Sequence, residues 1–265
     1  MSIGLTLKVY QVDAFASRVY TGNPAAVVPL KEWLAEEVMQ NIAAENNLAE
    51  TAFFVKNEDQ YDIRWFTPTD EVPLCGHATL ASAHVLFNEL DYQGTEIAFN
   101  CKSGSLTVSK NGELLKLNFP SNPVTLEKFR KEATLAFGCT PLNVYSSEKY
   151  YLLFEFETEK EIVEMIPDFQ AMTSWNETAI VVTAKGKKHD FVSRMFAPKI
   201  GVNEDPVTGS AHTRLVPFWA NKLGKNTLFA KQVSFRGGEL HCELKGNRVE
   251  MSGTAVLYLK GEIYI

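Results

Sequence analysis

The chain has 265 residues, of which 45% are hydrophobic and 22% are charged, and its formal net charge is −6. This composition is typical of a globular protein that can bury one large core or two smaller ones. An acidic chain without a basic stripe is not expected to bind nucleic acid. The sequence has no apolar run of 18 residues and no signal-peptide layout, so we expect a cytoplasmic protein that does not associate with membranes.

The cysteines and histidines do not form a recognisable metal-binding pattern. No Cys-x-x-Cys pair and no His-Glu-x-x-His pattern occurs. Without a secretory signal, cysteines at such spacings are expected to be free thiols rather than a disulfide framework. We therefore expect no metal site and no cofactor. The four cysteines are Cys75, Cys101, Cys139 and Cys242.

The first half of the chain predicts strands around an apolar helix. Glu50 opens an apolar strand and is expected to be half-buried there. Residues 78–87 include only three polar side chains, so a helix over this segment must be enclosed. The segment 114–119 alternates with a period of two, and the Asn111-Gly112 pair before it predicts a hairpin turn.

The second half predicts a similar arrangement. We place a domain boundary near Ser121-Asn122-Pro123, which gives domains of residues 1–120 and 124–254, with a final strand near 255–265 that can return to the first. A helical pattern covers residues 125–137. A second enclosed helix is expected over residues 210–223, where Pro217 should kink it.

The two halves also share four short signatures in the same order. The distance between partners grows only from 127 to 134 residues, as loops of different length would allow. The signatures therefore predict a duplicated fold. They pair Glu50-Thr51-Ala52 with Glu177-Thr178-Ala179, Arg64-Trp65-Phe66-Thr67-Pro68 with Arg194-Met195-Phe196-Ala197-Pro198, Gly76-His77-Ala78 with Gly209-Ser210-Ala211, and the turn at Asn111-Gly112 with that at Gly246-Asn247.

A duplicated fold could bring two helix starts, at Gly76 and Gly209, to face each other across a cleft. Helix N-termini present unpaired N–H groups and a partial positive charge, which suit a carboxylate or a similar anion. We therefore expect a small acidic substrate rather than a polymer. His77, just inside the first start, is either a ligand contact or a residue that caps its own helix.

Two acidic residues are further candidates, each with an alternative. Glu50 could take and give a proton from a half-buried position, or it could cap the helix before it, and the presence of Glu177 in the second half could reflect duplication alone. Asp205 precedes a proline and could be a turn residue, or it could bind a polar group of the substrate.

Motifs over nearly the whole chain resemble the phenazine-biosynthesis isomerase family, called PhzF-like. The Gly-Asn-Pro and Gly-His pieces are weak alone, but together the set is specific. It comprises Val9-Tyr10-Gln11-Val12-Asp13-Ala14-Phe15, Gly22-Asn23-Pro24-Ala25-Ala26-Val27-Val28, Asn47-Leu48-Ala49-Glu50-Thr51-Ala52-Phe53, Phe66-Thr67-Pro68, Cys75-Gly76-His77-Ala78-Thr79 and Glu204-Asp205-Pro206-Val207-Thr208-Gly209-Ser210-Ala211.

The resemblance implies an α+β fold like that of diaminopimelate epimerase. Two similar domains, related by a pseudo-two-fold axis, would each wrap a mixed β-barrel around a central helix. It also implies a homodimer and a cofactor-independent isomerase, in which Glu50 is the acid/base and His77 and Asp205 hold and polarise the substrate. Binding contacts would come from residues of the Gly-Asn-Pro motif and of the two helix starts: Asn23, Gly76, Gly209 and Ser210.

Other readings of the same residues stay open at this stage. Related epimerases use two cysteines, one at each helix start, and this chain has Cys75 near the first start but no cysteine near the second. Cys75 is therefore either a packing residue or an assisting thiol. A protein that binds small acids without turning them over would share the same motifs, and the motifs do not identify the substrate.

Overall fold

The computed structural model describes residues 4–128, 130–147 and 150–265, and the chain forms two compact units. The first comprises residues 1–118 and 252–265, and the second comprises residues 119–251. The chain therefore leaves the first unit once and returns to it for its last strand. No helix among the described residues is long and apolar enough to cross a membrane.

The first unit is built from strands that surround or flank two helices. The helices are α1 (Glu36–Asn46) and α2 (Gly76–Glu89). The strands are β1 (Thr6–Ala14), β2 (Asn23–Leu30), β3 (Glu50–Asn57), β4 (Gln60–Phe66), β5 (Glu71–Val72), β6 (Glu96–Cys101), β7 (Gly104–Asn111), β8 (Leu114–Pro120, which enters the second unit) and β18 (Ala255–Tyr264).

The second unit contains one long helix and several short ones. The helices are α3 (Lys131–Phe137), α4 (Glu159–Glu164), α5 (Phe169–Thr173) and α6 (Gly209–Leu223), with a 3-10 turn at Pro198–Ile200. The strands are β9 (Thr125–Leu126), β10 (Asn143–Ser146), β11 (Tyr151–Glu155), β12 (Ala179–Lys185), β13 (Phe191–Ala197), β14 (Val202–Asp205), β15 (Thr227–Gln232), β16 (Gly238–Lys245) and β17 (Arg248–Gly253, which ends in the first unit).

The strands pair in the same sequence of directions in both units. In the first unit, β1 and β2 are antiparallel, β2 and β3 parallel, β3 and β4 antiparallel, β4 and β6 parallel, and β6 and β7 antiparallel. In the second unit, β10 to β13, β15 and β16 repeat this series. The short strand β5 pairs with β4 in the first unit, and the short strand β14 pairs with β13 in the second. The mixed sheet and the internal repeat agree with the predicted fold class.

Helix α2 is enclosed, as its composition predicts. Ten of its residues are buried, and the helix packs against β1, β2 and β3. A side chain such as Leu80, which is fully buried, contributes about 2 kcal/mol through the hydrophobic effect. The other face of the same strands packs against α1 through Val28, Met39 and Phe53. Strand β2 is thus covered on both faces, as is usual for a strand with a parallel neighbour.

Helix α6 continues through Pro217, which has no N–H group to donate to the carbonyl of Thr213 one turn earlier. The N–H group of Asn122 donates to that carbonyl instead, at 3.0 Å, and the Asn122 amide reaches the Thr213 hydroxyl at 3.4 Å. Because the proline leaves the Thr213 carbonyl without its helical donor, that carbonyl can hold the segment after β8 by a hydrogen bond.

Two predictions need correction. The segment 125–137 begins as strand β9, paired with β10, and becomes helical only at Lys131; residue 129 lies outside the described residues. The first repeat signature does not align equivalent positions of the two units. Arg64 pairs with Phe53 in the first unit, and Arg194 pairs with Val182 in the second. If the two arginines correspond, Glu50 corresponds to Ala179 and not to Glu177.

Candidate active site

The end of helix α1 determines where Glu50 lies. Asn47 adopts a left-handed conformation, with φ of 49°, and its N–H group donates to the Ala43 carbonyl, which ends the helix. Strand β3 begins three residues later with Glu50, opposite Ala25 of β2. The Glu50 side chain is 19% exposed to solvent. The carboxylate thus lies at the beginning of two parallel strands, partly shielded from water.

Asn23 lies at the beginning of β2 and is fully buried. Gly22 precedes it with φ of +68°, and a Cβ atom there would lie 2.2 Å from the carbonyl oxygen of Ala14. Only glycine fits this turn. The Gly-Asn dipeptide therefore places the Asn23 amide beside the start of β3.

The start of α2 has no side-chain cap. The N-cap residue Cys75 makes no side-chain hydrogen bond that caps the helix, and the first turn contains no acidic residue. By contrast, Thr158 accepts a hydrogen bond from the N–H group of Glu161 in a capping box at the start of α4. A start without a cap presents N–H groups and partial positive charge to a ligand.

The side chains of Glu50, Cys75 and His77 meet at this start. Nε2 of His77 lies 3.1 Å from Oε2 of Glu50. Both atoms are buried and contact each other, and neither makes a further hydrogen bond to a residue that the structure describes. The Asn23 amide donates to Nδ1 of His77 at 3.2 Å, and the Cys75 sulfur lies 3.5 Å from the same nitrogen. In the neutral tautomer in which Nδ1 accepts from Asn23, the ring proton of His77 lies on Nε2 and faces Glu50.

The two buried neighbours of Glu50 have shifted pKa values. Burial raises the pKa of the Cys75 thiol, and the Glu50 charge raises it further, so Cys75 is protonated at neutral pH. Burial alone lowers the pKa of His77, but negative charge on Cys75 and Glu50 raises it well above its ordinary value. Since Cys75 remains a thiol, we attribute the raised pKa of His77 to the Glu50 carboxylate.

The start of α6 in the second unit is built differently. The Thr208 hydroxyl donates to Oδ2 of Asp205, which fixes the turn before the helix. Fully buried Gln232 accepts from the Thr208 N–H group at 2.9 Å and donates to the Asp205 carbonyl at 2.7 Å. Gly209 is buried, and Ser210 is exposed. Strand β15 thus holds the Asp-Pro-Val-Thr turn through the Gln232 side chain.

A tyrosine and an arginine lie close to this second start. The guanidinium carbon of Arg214 lies 3.9 Å from the ring centre of Tyr151, and Arg214 donates to the Ser210 carbonyl at 3.0 Å. Burial is the main cause that raises the pKa of Tyr151, and Arg214 opposes it. The start of α6 therefore has an aromatic ring and a guanidinium beside the Asp205 carboxylate, whereas the start of α2 has an imidazole beside the Glu50 carboxylate.

The family profile described as "Phenazine biosynthesis-like protein" matches residues 12–261. The chain belongs to the phenazine biosynthesis-like family. A protein of Pseudomonas aeruginosa named "uncharacterized isomerase" is 48% identical over 98% of this chain and 99% of its own length. A crystal structure of a PhzF-family phenazine biosynthesis protein from Enterococcus faecalis is 47% identical, covers 98% of this chain and 100% of that one, and superposes with a TM-score of 0.96.

More distant structures show the fold alone. A predicted epimerase from Pseudomonas aeruginosa is 20% identical and superposes with a TM-score of 0.73 over 97% of this chain and 99% of that one. The predicted family and the predicted diaminopimelate epimerase-like fold class are therefore confirmed. For this PhzF-like protein, relatives are named isomerases, and their names give no substrate.

The predicted site residues of the PhzF-like chain divide between its two units. The structure brings Asn23, Glu50, Gly76 and His77 together at the start of α2. Residues Asp205, Gly209 and Ser210 lie at the start of α6. The roles assigned to these seven residues remain predictions.

Sequence reasoning missed several neighbours of the second start. Thr208 lies inside a quoted motif, so its hydroxyl could have been considered as a partner of Asp205. Gln232 comes from a strand 27 residues after Asp205 and gave no signal in the sequence. Tyr151 opens β11 and was part of no motif, so only the fold relates it to Arg214.

Proposed function

We propose that this protein is a cofactor-independent isomerase that moves a proton within a small substrate bearing a carboxylate, with Glu50 as the acid and base. The main support is the 3.1 Å contact between Glu50 and His77, in which both facing atoms are buried and neither makes a further hydrogen bond to the described residues. Buried polar atoms in such a state are costly for a protein that does not use them. A substrate that binds there would satisfy both.

In the proposed reaction the Glu50 carboxylate removes a proton from a carbon of the substrate. The electron pair left behind spreads into adjacent unsaturated bonds, and the Glu50 carboxylic acid then returns the proton to another carbon. No atom or electron is gained or lost, so the reaction needs no co-reactant. His77 would donate from Nε2 to a substrate oxygen that gains negative charge, since Asn23 holds its Nδ1 as an acceptor.

The carboxylate of the substrate would bind at helix N-termini. The start of α2 at Gly76 has no side-chain cap, and neither does the start of α6 at Gly209 and Ser210. Asp205 would accept a hydrogen bond from a donor group of the substrate. That both starts contact the same substrate is a prediction from the duplicated sequence, as are the homodimer and the cytoplasmic location.

A cysteine-assisted epimerase is the less favoured function. Burial raises the pKa of Cys75, which keeps it in the thiol form and makes it a poor base. The residue at the corresponding place before α6 is Thr208, which has no thiol. If Cys75 took part in the chemistry, Cys75→Ala would abolish turnover, whereas we expect that variant to retain it.

The test follows hydrogen exchange in deuterium oxide. Small aromatic and amino-acid-like carboxylates are incubated with the protein, and NMR detects deuterium entering the carbon skeleton. Once a substrate is found, Glu50→Gln should lower the exchange rate by about 10²- to 10⁴-fold, the usual contribution of a general acid/base. Thermal stabilisation by the same carboxylate should persist, because the helix starts are unchanged.

The matched control is Glu177→Gln, which alters the other Glu-Thr-Ala segment. It should leave the exchange rate within about twofold, because Glu177 accepts from Arg130 and not from a histidine. Exchange retained in Glu50→Gln would remove Glu50 from the role. Binding of carboxylates by the wild-type protein without any exchange would favour a protein that binds small acids without turnover.

A further inference from the structure

We propose that Glu50, Cys75 and His77 bind one Zn²⁺ ion, and that the bound ion reversibly blocks the reaction. The spacing of cysteines and histidines in the sequence gave no sign of such a site, because Glu50 comes from a distant segment. The fold brings one carboxylate oxygen, one sulfur and one imidazole nitrogen within 4.8 Å of one another. These are the donor types that zinc takes in proteins.

The geometry needs only small movements to close around an ion. Zinc forms bonds of about 2.0 to 2.3 Å with these donors, so a tetrahedral site separates them by roughly 3.3 to 3.8 Å. Oε2 of Glu50 already lies 3.1 Å from Nε2 of His77, whereas the Cys75 sulfur lies 3.5 Å from Nδ1, the other nitrogen of that ring. Since one donor atom from each residue lies within 4.8 Å of the others, side-chain shifts of about 1 Å would bring the sulfur and the carboxylate oxygen around a single ring nitrogen. All three residues belong to the first unit, at the beginnings of β3 and α2.

The state of the donors is the second observation that favours an ion. The His77 side chain is 6% exposed, and its Nε2 atom has no polar partner among the described residues other than Glu50. It faces Oε2 of Glu50, which is in the same condition. A cation between them would satisfy both buried atoms at once.

The chemistry favours zinc over harder cations. The Cys75 thiol loses its proton to solvent, a Zn–S bond forms, and the carboxylate and one imidazole nitrogen complete three protein ligands. A sulfur and a nitrogen ligand select Zn²⁺ over Mg²⁺ or Ca²⁺, which prefer oxygen. If Nε2 binds the ion, Nδ1 carries the ring proton, and Asn23 must turn its amide oxygen toward the ring to accept it. A fourth position remains for water or a substrate carboxylate.

The inhibitory part of this proposal rests on the proposed function. A Glu50 oxygen that is bound to zinc cannot remove a proton, so the ion should lower the exchange rate as it fills the site.

The experiment titrates the full-length protein with Co²⁺ and with Zn²⁺ and needs no substrate. Co²⁺ bound to a thiolate gives a near-ultraviolet charge-transfer band, and Zn²⁺ should displace it at one ion per chain. Cys75→Ser should abolish the band and weaken Zn²⁺ binding at least tenfold, and Glu50→Gln should also weaken it. The control Cys101→Ser removes a partly exposed thiol from the same unit and should change neither.

The outcomes separate the two proposals. Absence of stoichiometric zinc binding, or a charge-transfer band that survives in folded Cys75→Ser, would overturn the metal site and leave the exchange experiment intact. Stoichiometric binding that depends on Cys75 and Glu50 but leaves the exchange rate unchanged would overturn the inhibition and also count against Glu50 as the acid/base. Binding with loss of exchange that a chelator reverses would support both.

Discussion

Two segments of the chain begin with the same three residues, Glu-Thr-Ala, yet their glutamates occupy different environments. Glu50 begins β3 and faces the imidazole of His77. Glu177 lies two residues before β12, and its two oxygens accept from Arg130 at 3.1 and 2.7 Å. One carboxylate has a single imidazole contact, and the other is paired with a guanidinium through both of its oxygens. Identity over three residues therefore did not identify equivalent positions.

The strand register identifies the positions that are truly equivalent. Arg64 binds both oxygens of Glu71 and lies over Phe66, and Arg194 does the same with Glu204 and Phe196. These matching clamps pair β4 with β5 and β13 with β14. The two units thus share the packing that holds each short strand, while the position of Glu50 is occupied by Ala179 in the second unit.

The two helix starts diverge in the same way. Aligned at Gly76 and Gly209, Cys75 corresponds to Thr208 and His77 corresponds to Ser210. Both starts lack a side-chain cap. Only the first places an imidazole beside a carboxylate. We infer that the backbone for anion binding is common to both units and that proton chemistry is confined to the first.

The largest effect that would test this division is on turnover. His77→Gln removes the imidazole but keeps a hydrogen-bond donor, and we expect kcat for proton exchange to fall by about a hundredfold to a thousandfold. Ser210→Ala, at the corresponding position, should reduce kcat/KM by about tenfold or less, mainly through KM, because a binding contact is lost. Steady-state kinetics of both variants on the same substrate give the comparison.

Circular dichroism and thermal unfolding should first establish that both variants are folded. Equal losses of kcat in the two variants would break the comparison, since the chemistry would then be shared between the helix starts. A smaller loss of kcat in His77→Gln than in Ser210→Ala would assign the proton chemistry to the second helix start instead.

Much of this architecture follows from local sequence. The apolar segment 78–87 predicted the enclosed helix α2, and the Asn111-Gly112 pair predicted a turn that the structure shows between β7 and β8. Segment 125–137 was misread because a two-residue strand is too short to interrupt a helical pattern, and its pairing with β10 is set by tertiary structure.

The site was harder to predict from the sequence than the fold was. The motifs and the resemblance pointed to Glu50 and His77, 27 positions apart, but their contact required both the left-handed end of α1 and the start of α2. The support from Gln232 could not be inferred, because a single glutamine at the end of a strand has no pattern.

A second prediction compares residues that bond to the N-cap carbonyl of each central helix. The Thr79 hydroxyl donates to the Cys75 carbonyl, and Nδ1 of buried His212 donates to the Thr208 carbonyl at 2.8 Å. Burial lowers the pKa of His212 to about 4, although that hydrogen bond opposes the shift. Only the second unit therefore has a titratable group at this place.

Because the unfolded chain binds a proton at His212 near pH 6.5 and the folded chain does not, stability should fall as the pH drops from about 6.5 to about 4. The loss should be about 3 kcal/mol. The variant His212→Thr introduces threonine, the residue at the corresponding position of the first unit. Between these pH values its free energy of unfolding should change by about 3 kcal/mol less than that of the wild-type protein. Urea unfolding at several pH values measures both proteins. Identical pH dependence in the two would show that His212 does not remain neutral in the folded state.

The smallest expected effect concerns the hairpins at Gly112 and Gly246. Their φ angles are +59° and +60°, and a Cβ atom added at either would meet no atom within 4 Å. Alanine there should cost about 1 kcal/mol through backbone conformation alone, and asparagine, which tolerates this region better, should cost less. Because the two turns match, Gly112→Ala and Gly246→Ala should lower the free energy of unfolding equally, as measured in urea. A difference of more than about 1 kcal/mol, a large share of the stability of an ordinary domain, would mean that the units do not tolerate strain alike.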